Sequence, residues 1–91
     1  MTYEEEVEGL RAEIDRLNAD IMEKIAERVQ VARQIGEVKR RHGLPIVDRR
    51  REAKVYERIR ESARERGLDP EGVARVFREI IRLCTEVQME K

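Results

Sequence analysis

The sequence predicts an all-α protein with three helices, one long and two of medium length. Apolar residues recur at helical spacing in three segments, and glycines and N-capping residues separate those segments. No segment shows the alternation of apolar and polar residues that is typical of a strand. With 91 residues, the chain is expected to form a single domain over residues 1–91, with a modest core.

The first predicted helix runs from about Glu4 to His42, and Gly43 is suited to end it in the left-handed conformation. Gly36, inside the helix, is expected to cost about 1 kcal/mol relative to Ala. At about 1.5 Å per residue the helix would be nearly 60 Å long, whereas a compact chain of this size has a radius of gyration of roughly 12 Å. The rest of the chain is too short to cover its apolar face, so we expect a partner. That face consists of Val7, Leu10, Ile14, Leu17, Ile21, Ile25, Ala32 and Ile35.

The second helix is predicted over roughly Arg49 to Arg66, after a loop over residues 42–47. Asp48 is a suitable N-cap, and Gly67 is suited to end the helix. Its inward face is predicted to consist of Val55, Tyr56, Ile59 and Ala63.

The third helix is predicted from Pro70 towards Glu90. Asp69 serves as its N-cap, and proline is favoured at the first helical position. Its inward face is predicted to consist of Val73, Val76, Phe77, Ile80, Ile81, Cys84 and Val87.

Composition argues against several classes of function. The 20 basic and 20 acidic residues cancel, which argues against a nucleic-acid binder despite basic runs at residues 39–41 and 49–51. Cys84 and His42 are the only cysteine and histidine, so neither a disulfide nor a metal site is predicted. The acidic N-terminus does not resemble a signal peptide, and no apolar run approaches the roughly 20 residues of a membrane span. We therefore expect a cytoplasmic protein.

Several polar residues fall on or beside the predicted apolar faces. They are Arg11, Arg28, Lys39, Glu52 and Gln88. A buried unpaired charge costs several kcal/mol, so these groups should either pair with one another or bind a ligand. A salt bridge from Arg28 or Lys39 to Glu52 would satisfy the first alternative. However, three cations face one carboxylate, and this surplus favours a small anion with more than one carboxylate.

The spacing of the cations divides them into two groups. Arg28 and Lys39 are almost three helical turns apart, about 16 Å, so their long side chains can converge on one small ligand. Arg11 lies about 25 Å from Arg28 along the same helix and is turned by roughly a quarter circle. If Arg11 belongs to a site, that site lies on another subunit.

A series of short motifs extends over most of the chain, from about residue 10 to residue 88. They are Leu10 to Asp15, Glu27 with Arg28, Ile35 with Gly36 and Lys39, Pro45 to Asp48, Arg51 with Glu52, Gly67 to Asp69, Ile80 with Ile81, and Gln88. In this order and spacing they resemble the all-helical, AroQ-type chorismate mutases. The resemblance implies an intertwined homodimer with two equivalent sites. It also implies rearrangement of chorismate to prephenate in phenylalanine and tyrosine biosynthesis, without a metal or other cofactor.

The resemblance also implies roles for individual residues. Arg28 and Arg11 of the partner subunit would hold the two carboxylates of chorismate. Lys39 and Gln88 would donate hydrogen bonds to the ether oxygen of the breaking C–O bond. Catalysis would come from holding the reactive conformer and from donors aimed at the oxygen where charge develops.

The remaining site residues would surround the ring hydroxyl and a carboxylate of the substrate. Glu52 would accept a hydrogen bond from the hydroxyl, helped by the backbone at Asp48, with Arg51 nearby. Cys84 occupies a position where the family usually has a small hydroxyl residue, and a thiol is a poorer donor.

Two other functions fit a chain of this kind. A lyase of the same fold releases pyruvate from isochorismate with a similar cationic clamp, but Glu52 with Asp48 and Arg51 matches the mutase pattern better. A non-catalytic helical dimerisation module would be more stable with apolar residues at the inward polar positions. Loss of chorismate, with identification of the product, separates these alternatives.

Overall fold

The computed structural model describes residues 1–90, which form three α-helices and no strand in this part of the chain. Helix α1 spans Tyr3–Arg41, α2 spans Arg49–Glu65 and α3 spans Pro70–Gln88. The predicted all-α class and the order of one long and two medium helices are confirmed. The predicted ends lie within about two residues of the observed ones, which is the usual uncertainty of helix ends.

Helices α1 and α2 end in the same way. Gly43 has a φ of 65° and Gly67 a φ of 70°, both in the left-handed region that favours glycine. After α1, Leu44 N–H donates to the carbonyl of Lys39 at 2.9 Å, and after α2, Leu68 N–H donates to that of Ala63 at 2.9 Å. These bonds satisfy carbonyls that the helix itself leaves without a donor.

Short side chains cap the first turn of each helix. The Asp48 and Asp69 carboxylates accept from the backbone N–H groups of Arg51 and Gly72, at 3.1 and 3.2 Å, so both predicted N-caps are confirmed. Thr2 caps α1 by accepting from Glu5 N–H at 3.2 Å. We did not predict that cap, although Thr followed three residues later by Glu is a known signature of a helix start.

Helix α3 lies between the other two. Both α1 and α2 pack on α3, and they do not pack on each other within residues 1–90. The buried apolar residues are all small or medium-sized: Ala32, Ala63, Ala74, Cys84 and Val87. Small side chains bring the helix backbones close together but bury little apolar area. The core within one chain is therefore thin.

The chain is elongated. Its radius of gyration is 17.3 Å and its extents are 62 × 28 × 15 Å, because the N-terminal half of α1 projects beyond the other two helices. Several apolar residues of that half are exposed: Leu10, Ile14, Leu17 and Ile21. Val76, which we predicted to face inward, is 61% exposed, because it lies on a side of α3 that neither α1 nor α2 covers. No helix of this part of the chain is long and apolar enough to cross a membrane.

Candidate active site

A cavity of about 380 Å³ lies between α1 and α2, with α3 as its floor. It contains seven of the eight residues that the sequence analysis assigned to a site. These are Arg28 and Lys39 of α1, Asp48, Arg51 and Glu52 at the start of α2, and Cys84 and Gln88 of α3. Its other lining residues are Val31, Ala32, Ile35, Ile46, Val47, Val55, Ile81 and Thr85. The cavity thus combines an apolar lining with a few charged and amide groups, as small-molecule sites do.

Lys39 is fixed by the loop that follows its own helix. Its Nζ donates to the carbonyl of Ile46 at 2.6 Å, which holds the half-buried ammonium against the edge of the cavity. An ammonium has three N–H donors, so two are left for a ligand. The turn at Gly43 makes this bond possible, because it reverses the chain within the seven residues that separate the partners.

Gln88 lies opposite, in the last turn of α3. Its Nε2 donates to the Cys84 carbonyl at 3.2 Å, and this leaves the second N–H of the amide without a partner among residues 1–90. Its Oε1 is buried and has no donor within the same residues. A buried polar atom without a partner costs roughly 1–3 kcal/mol. Such a cost is acceptable at a position that binds a polar ligand.

Gly36 allows this close approach of α3 to α1. A Cβ built at Gly36 would lie 3.1 Å from both Cα and Cβ of Gln88, which is closer than side chains normally approach. From the sequence, Gly36 was expected to cost helix stability and belonged to one of the family motifs, but no contact was predicted for it. The structure shows that its missing side chain makes room for Gln88.

The start of α2 contributes one cation and two carboxylates. The Asp48 carboxylate accepts from the Arg51 backbone N–H at 3.1 Å, so part of its hydrogen-bonding capacity serves the helix. Glu52 is half-buried. The salt bridge to Glu52 that we considered for Arg28 or Lys39 does not form within residues 1–90. Glu52 is therefore available to accept a hydrogen bond from a ligand.

Two neighbouring residues of α3 contribute small polar groups. Cys84 is 3% exposed and is a free thiol. Thr85 is half-buried, lines the same cavity and was not predicted as a site residue. Its position one residue after Cys84 was the only signal, and helical periodicity alone places it away from the centre of the apolar face.

Arg11 is the one predicted site residue that lies outside the cavity. It is exposed in the projecting half of α1. The structure thus separates Arg11 from Arg28 within one chain, as the spacing predicted.

The cavity has the charge pattern of an anion site. Arg28, Lys39 and Arg51 outnumber the carboxylates of Asp48 and Glu52. Among residues 1–90 no three His, Cys, Asp or Glu side chains are grouped so that they could hold a metal ion. The groups in the cavity can bind a carboxylate, donate to an ether or carbonyl oxygen, and accept from a hydroxyl.

The sequence profile of type II chorismate mutases matches residues 10–89, which is most of the chain. The chain belongs to this family. Its cavity residues lie within the matched segment.

Individual relatives agree with this assignment. The chain is 34% identical to a chorismate mutase of Methanocaldococcus jannaschii, over 85% of this chain and 78% of the relative. It is 37% identical to a bifunctional chorismate mutase/prephenate dehydratase of Aquifex aeolicus, over 92% of this chain but only 24% of the relative. It is also 31% identical to a 4-amino-4-deoxychorismate mutase of Streptomyces venezuelae, over 89% of this chain and 79% of the relative. The chain thus spans about a quarter of the bifunctional relative and most of the two mutases.

Proposed function

We propose that this type II chorismate mutase family member catalyses the rearrangement of chorismate to prephenate in aromatic amino acid biosynthesis. The observation that supports this most is that one cavity collects Arg28, Lys39, Glu52 and Gln88 from all three helices. These residues are 60 positions apart at the extremes, so only the fold brings them together. The cytoplasmic location expected from the sequence stays a prediction.

The proposed chemistry needs only positioning and hydrogen bonding. In chorismate one C–O bond breaks while a C–C bond forms in the same molecule, so no nucleophile or cofactor takes part. Arg28 would bind a carboxylate and Glu52 would accept from the ring hydroxyl, which holds the substrate in its folded conformer. The free N–H groups of Lys39 and Gln88 would stabilise the negative charge that develops on the ether oxygen.

We propose further that the active form is an intertwined homodimer. The chain exposes 7646 Å² of surface. A compact protein of its mass, 10.8 kDa, exposes about 5,500 Å², so roughly 2,000 Å² remain for a partner. That area is typical of obligate dimers.

The groove beside the cavity supports the same proposal. A second groove of about 500 Å³ runs along α2 and α3, is lined by Val55, Ile59, Val73 and Phe77, and shares Arg51 and Val55 with the cavity. The exposed apolar residues of the projecting half of α1 are suited to fill this groove in a second copy.

In such a dimer Arg11 would complete the site of the other chain. Within one chain the cavity has one more cation than carboxylates, while chorismate carries two carboxylates. A further arginine from the partner would supply the second bidentate contact. Arg11 is suited to this role because it lies in the same segment as the exposed apolar residues.

A second candidate substrate is 4-amino-4-deoxychorismate, the substrate class named for the Streptomyces venezuelae relative. The observation in its favour is the half-buried Glu52 carboxylate, which has no cationic partner within residues 1–90 and could bind an ammonium as well as a hydroxyl. Both substrates would rearrange by the same reaction.

The experiment that tests the function follows loss of chorismate by ultraviolet absorbance and identifies the product. Prephenate supports the proposal, whereas release of pyruvate from isochorismate would identify a lyase. Absence of turnover with all three substrates would indicate a dimerisation module. Lys39→Ala should abolish most of the turnover. Lys24→Ala is the matched control, since Lys24 is exposed on α1 and, within residues 1–90, pairs only with Glu27 at 3.1 Å. Comparing kcat/KM for chorismate and its 4-amino analogue decides between the two mutase substrates.

A further inference from the structure

The end of α3 is bound by a cation from another helix. Arg40 Nη1 donates to the Gln88 carbonyl at 2.8 Å and to the Glu90 carbonyl at 3.3 Å. The last turn of α3 contains no basic residue of its own. The final carbonyls of a helix have no donor within the helix and carry partial negative charge, so a guanidinium there is favourable.

Arg40 acts on the residue that carries a proposed catalytic amide. Gly36 and Arg40 are one turn apart on α1 and therefore face the same way. Gly36 leaves room for the Cα and Cβ of Gln88, and Arg40 binds its carbonyl. Gln88 is thus held against α1 at two points.

The direction of the Gln88 amide depends on where the end of α3 lies. Its Nε2 is tied to the Cys84 carbonyl one turn earlier, so the amide moves with that last turn. Helix ends fray easily, and Gln88 is the last residue of α3, with Met89 as the C-cap. A displacement of about 1 Å in a catalytic group can lower the rate by as much as roughly a hundredfold.

We propose that Arg40 is a positioning residue for Gln88, an inference that rests on the proposed mutase function. Arg40 itself does not line the cavity. It acts by holding the last turn of α3, so that the free N–H of Gln88 points at the reacting oxygen. The nearby ion pair of Arg33 and Glu90 is exposed, as are the bonds of Arg40, but at 3.7 Å it is longer than the 2.8 Å bond from Arg40 to the Gln88 carbonyl and so contributes less.

The first test compares Arg40→Leu with Arg41→Leu. Arg41 is the matched control, since it is the next residue of α1 and makes no side-chain hydrogen bond or ion pair within residues 1–90. Arg40→Leu should lower kcat about tenfold with little change in KM. Arg41→Leu should leave both constants unchanged. Equal effects of the two variants, or a change confined to KM, would overturn the proposal.

Arg40→Lys tests the contact itself. Both carbonyls are bound by one nitrogen, Nη1, so a single ammonium can replace it. Arg40→Lys should therefore recover most of the kcat that Arg40→Leu loses. This variant also keeps the proposal testable if Arg40→Leu does not fold. A lysine variant as slow as the leucine variant would contradict a role through these bonds.

A double-mutant cycle shows whether Arg40 acts through Gln88. In a Gln88→Ala background, Arg40→Leu should change kcat by less than about twofold, because the amide to be positioned is gone. A further tenfold loss would mean that Arg40 acts on the reaction by another route.

A measurement without substrate separates this inference from the proposed function. The backbone order parameter of Gln88, measured by NMR, should fall from about 0.85 towards 0.6 in Arg40→Leu and stay unchanged in Arg41→Leu. If the parent protein does not consume chorismate, the proposed function fails, but this measurement still tests whether Arg40 holds the last turn of α3. An unchanged order parameter in Arg40→Leu would overturn the inference even for an active enzyme.

Discussion

The two halves of α1 have the same apolar repeat and opposite surroundings. In the N-terminal half, up to about residue 24, Leu10 is 62% and Leu17 55% exposed. In the C-terminal half Ala32 is 5% exposed and Gly36 is buried against α3. The periodicity therefore predicts that one face of the helix is apolar throughout, but it does not predict what covers each part of it.

Polar residues show the same contrast. Arg28 and Lys39, in the C-terminal half, line the cavity of their own chain, whereas Arg11 lies outside it. In the proposed homodimer the exposed half serves the partner in both respects, since it provides apolar surface and one cation. Four predictions test this division.

The largest effect is expected from a charge on the exposed apolar face. Leu17→Asp should destabilise the protein by about 3–5 kcal/mol per subunit, because a partner would bury that face. Ala19→Asp is the matched control: it lies nearly half a turn away and should cost less than about 1 kcal/mol. Sedimentation and thermal unfolding of both variants check this. If Leu17→Asp and Ala19→Asp both sediment as folded monomers of equal stability, the proposed dimer is refuted.

Subunit exchange tests Arg11 directly. Arg11→Ala and Lys39→Ala should each be at least about a hundredfold slower than the parent. When the two are mixed and exchange subunits, about a quarter of the parental activity should return, since half of the dimers are mixed and one site in each is intact. If Arg11 served its own chain, every site in a mixed dimer would be damaged, and the mixture would stay inactive.

Gln88→Glu tests the amide of α3 that packs against the C-terminal half of α1. An ionised carboxylate cannot donate to the reacting oxygen, and it would also pair with Lys39, so about a hundredfold loss is expected at neutral pH. Protonation restores a donor, so activity should rise as pH falls through the pKa of the new carboxyl. Burial raises that pKa and nearby cations lower it. The measurement is the pH dependence of kcat and kcat/KM for both proteins, with folding checked at each pH. A variant profile like the parent's would exclude Gln88 as the donor.

Two glycines provide the smallest and most direct comparison of the halves. In Gly9→Ala the new Cβ would meet nothing within 4 Å among residues 1–90, so this change should stabilise the protein by about 0.5–1 kcal/mol. Gly36→Ala would bring a Cβ within 3.1 Å of Gln88 and should destabilise the protein by about 1–3 kcal/mol. Denaturant unfolding at one fixed subunit concentration measures both. A stabilising Gly36→Ala would show that α3 can move away without cost.

Much of the fold could be predicted because its signals are local. Gly43, Gly67, Asp48 and Asp69 end or begin helices through bonds to residues within five positions, so the sequence alone contains both partners. Thr2 was overlooked although its partner, Glu5, is equally near. Seven of the eight predicted site residues line one cavity. The family resemblance predicted most of these residues, whereas helical spacing alone marked only the polar residues on the apolar faces.

What could not be predicted depends on contacts between distant residues. Arg40 was noted only as part of the basic run at residues 39–41, because its partners are backbone carbonyls 48 and 50 positions away. Backbone groups are the same at every residue, so no side-chain pattern marks them. Gly36 was interpreted as a weak point for the same reason, since Gln88 is remote in sequence. Val76 was predicted to be buried because periodicity does not define the width of a covered face.

The position of α3 between the other helices gives the bound ligand a mechanical role. Within residues 1–90, α1 and α2 pack on α3 and not on each other, so the two walls of the cavity are joined only by its floor and by the loop over residues 42–48. A molecule bound by Lys39 on one wall and Glu52 on the other would add a direct connection between the two helices. Bound substrate would then act as a crossbeam between α1 and α2 and stiffen the site for as long as it is bound.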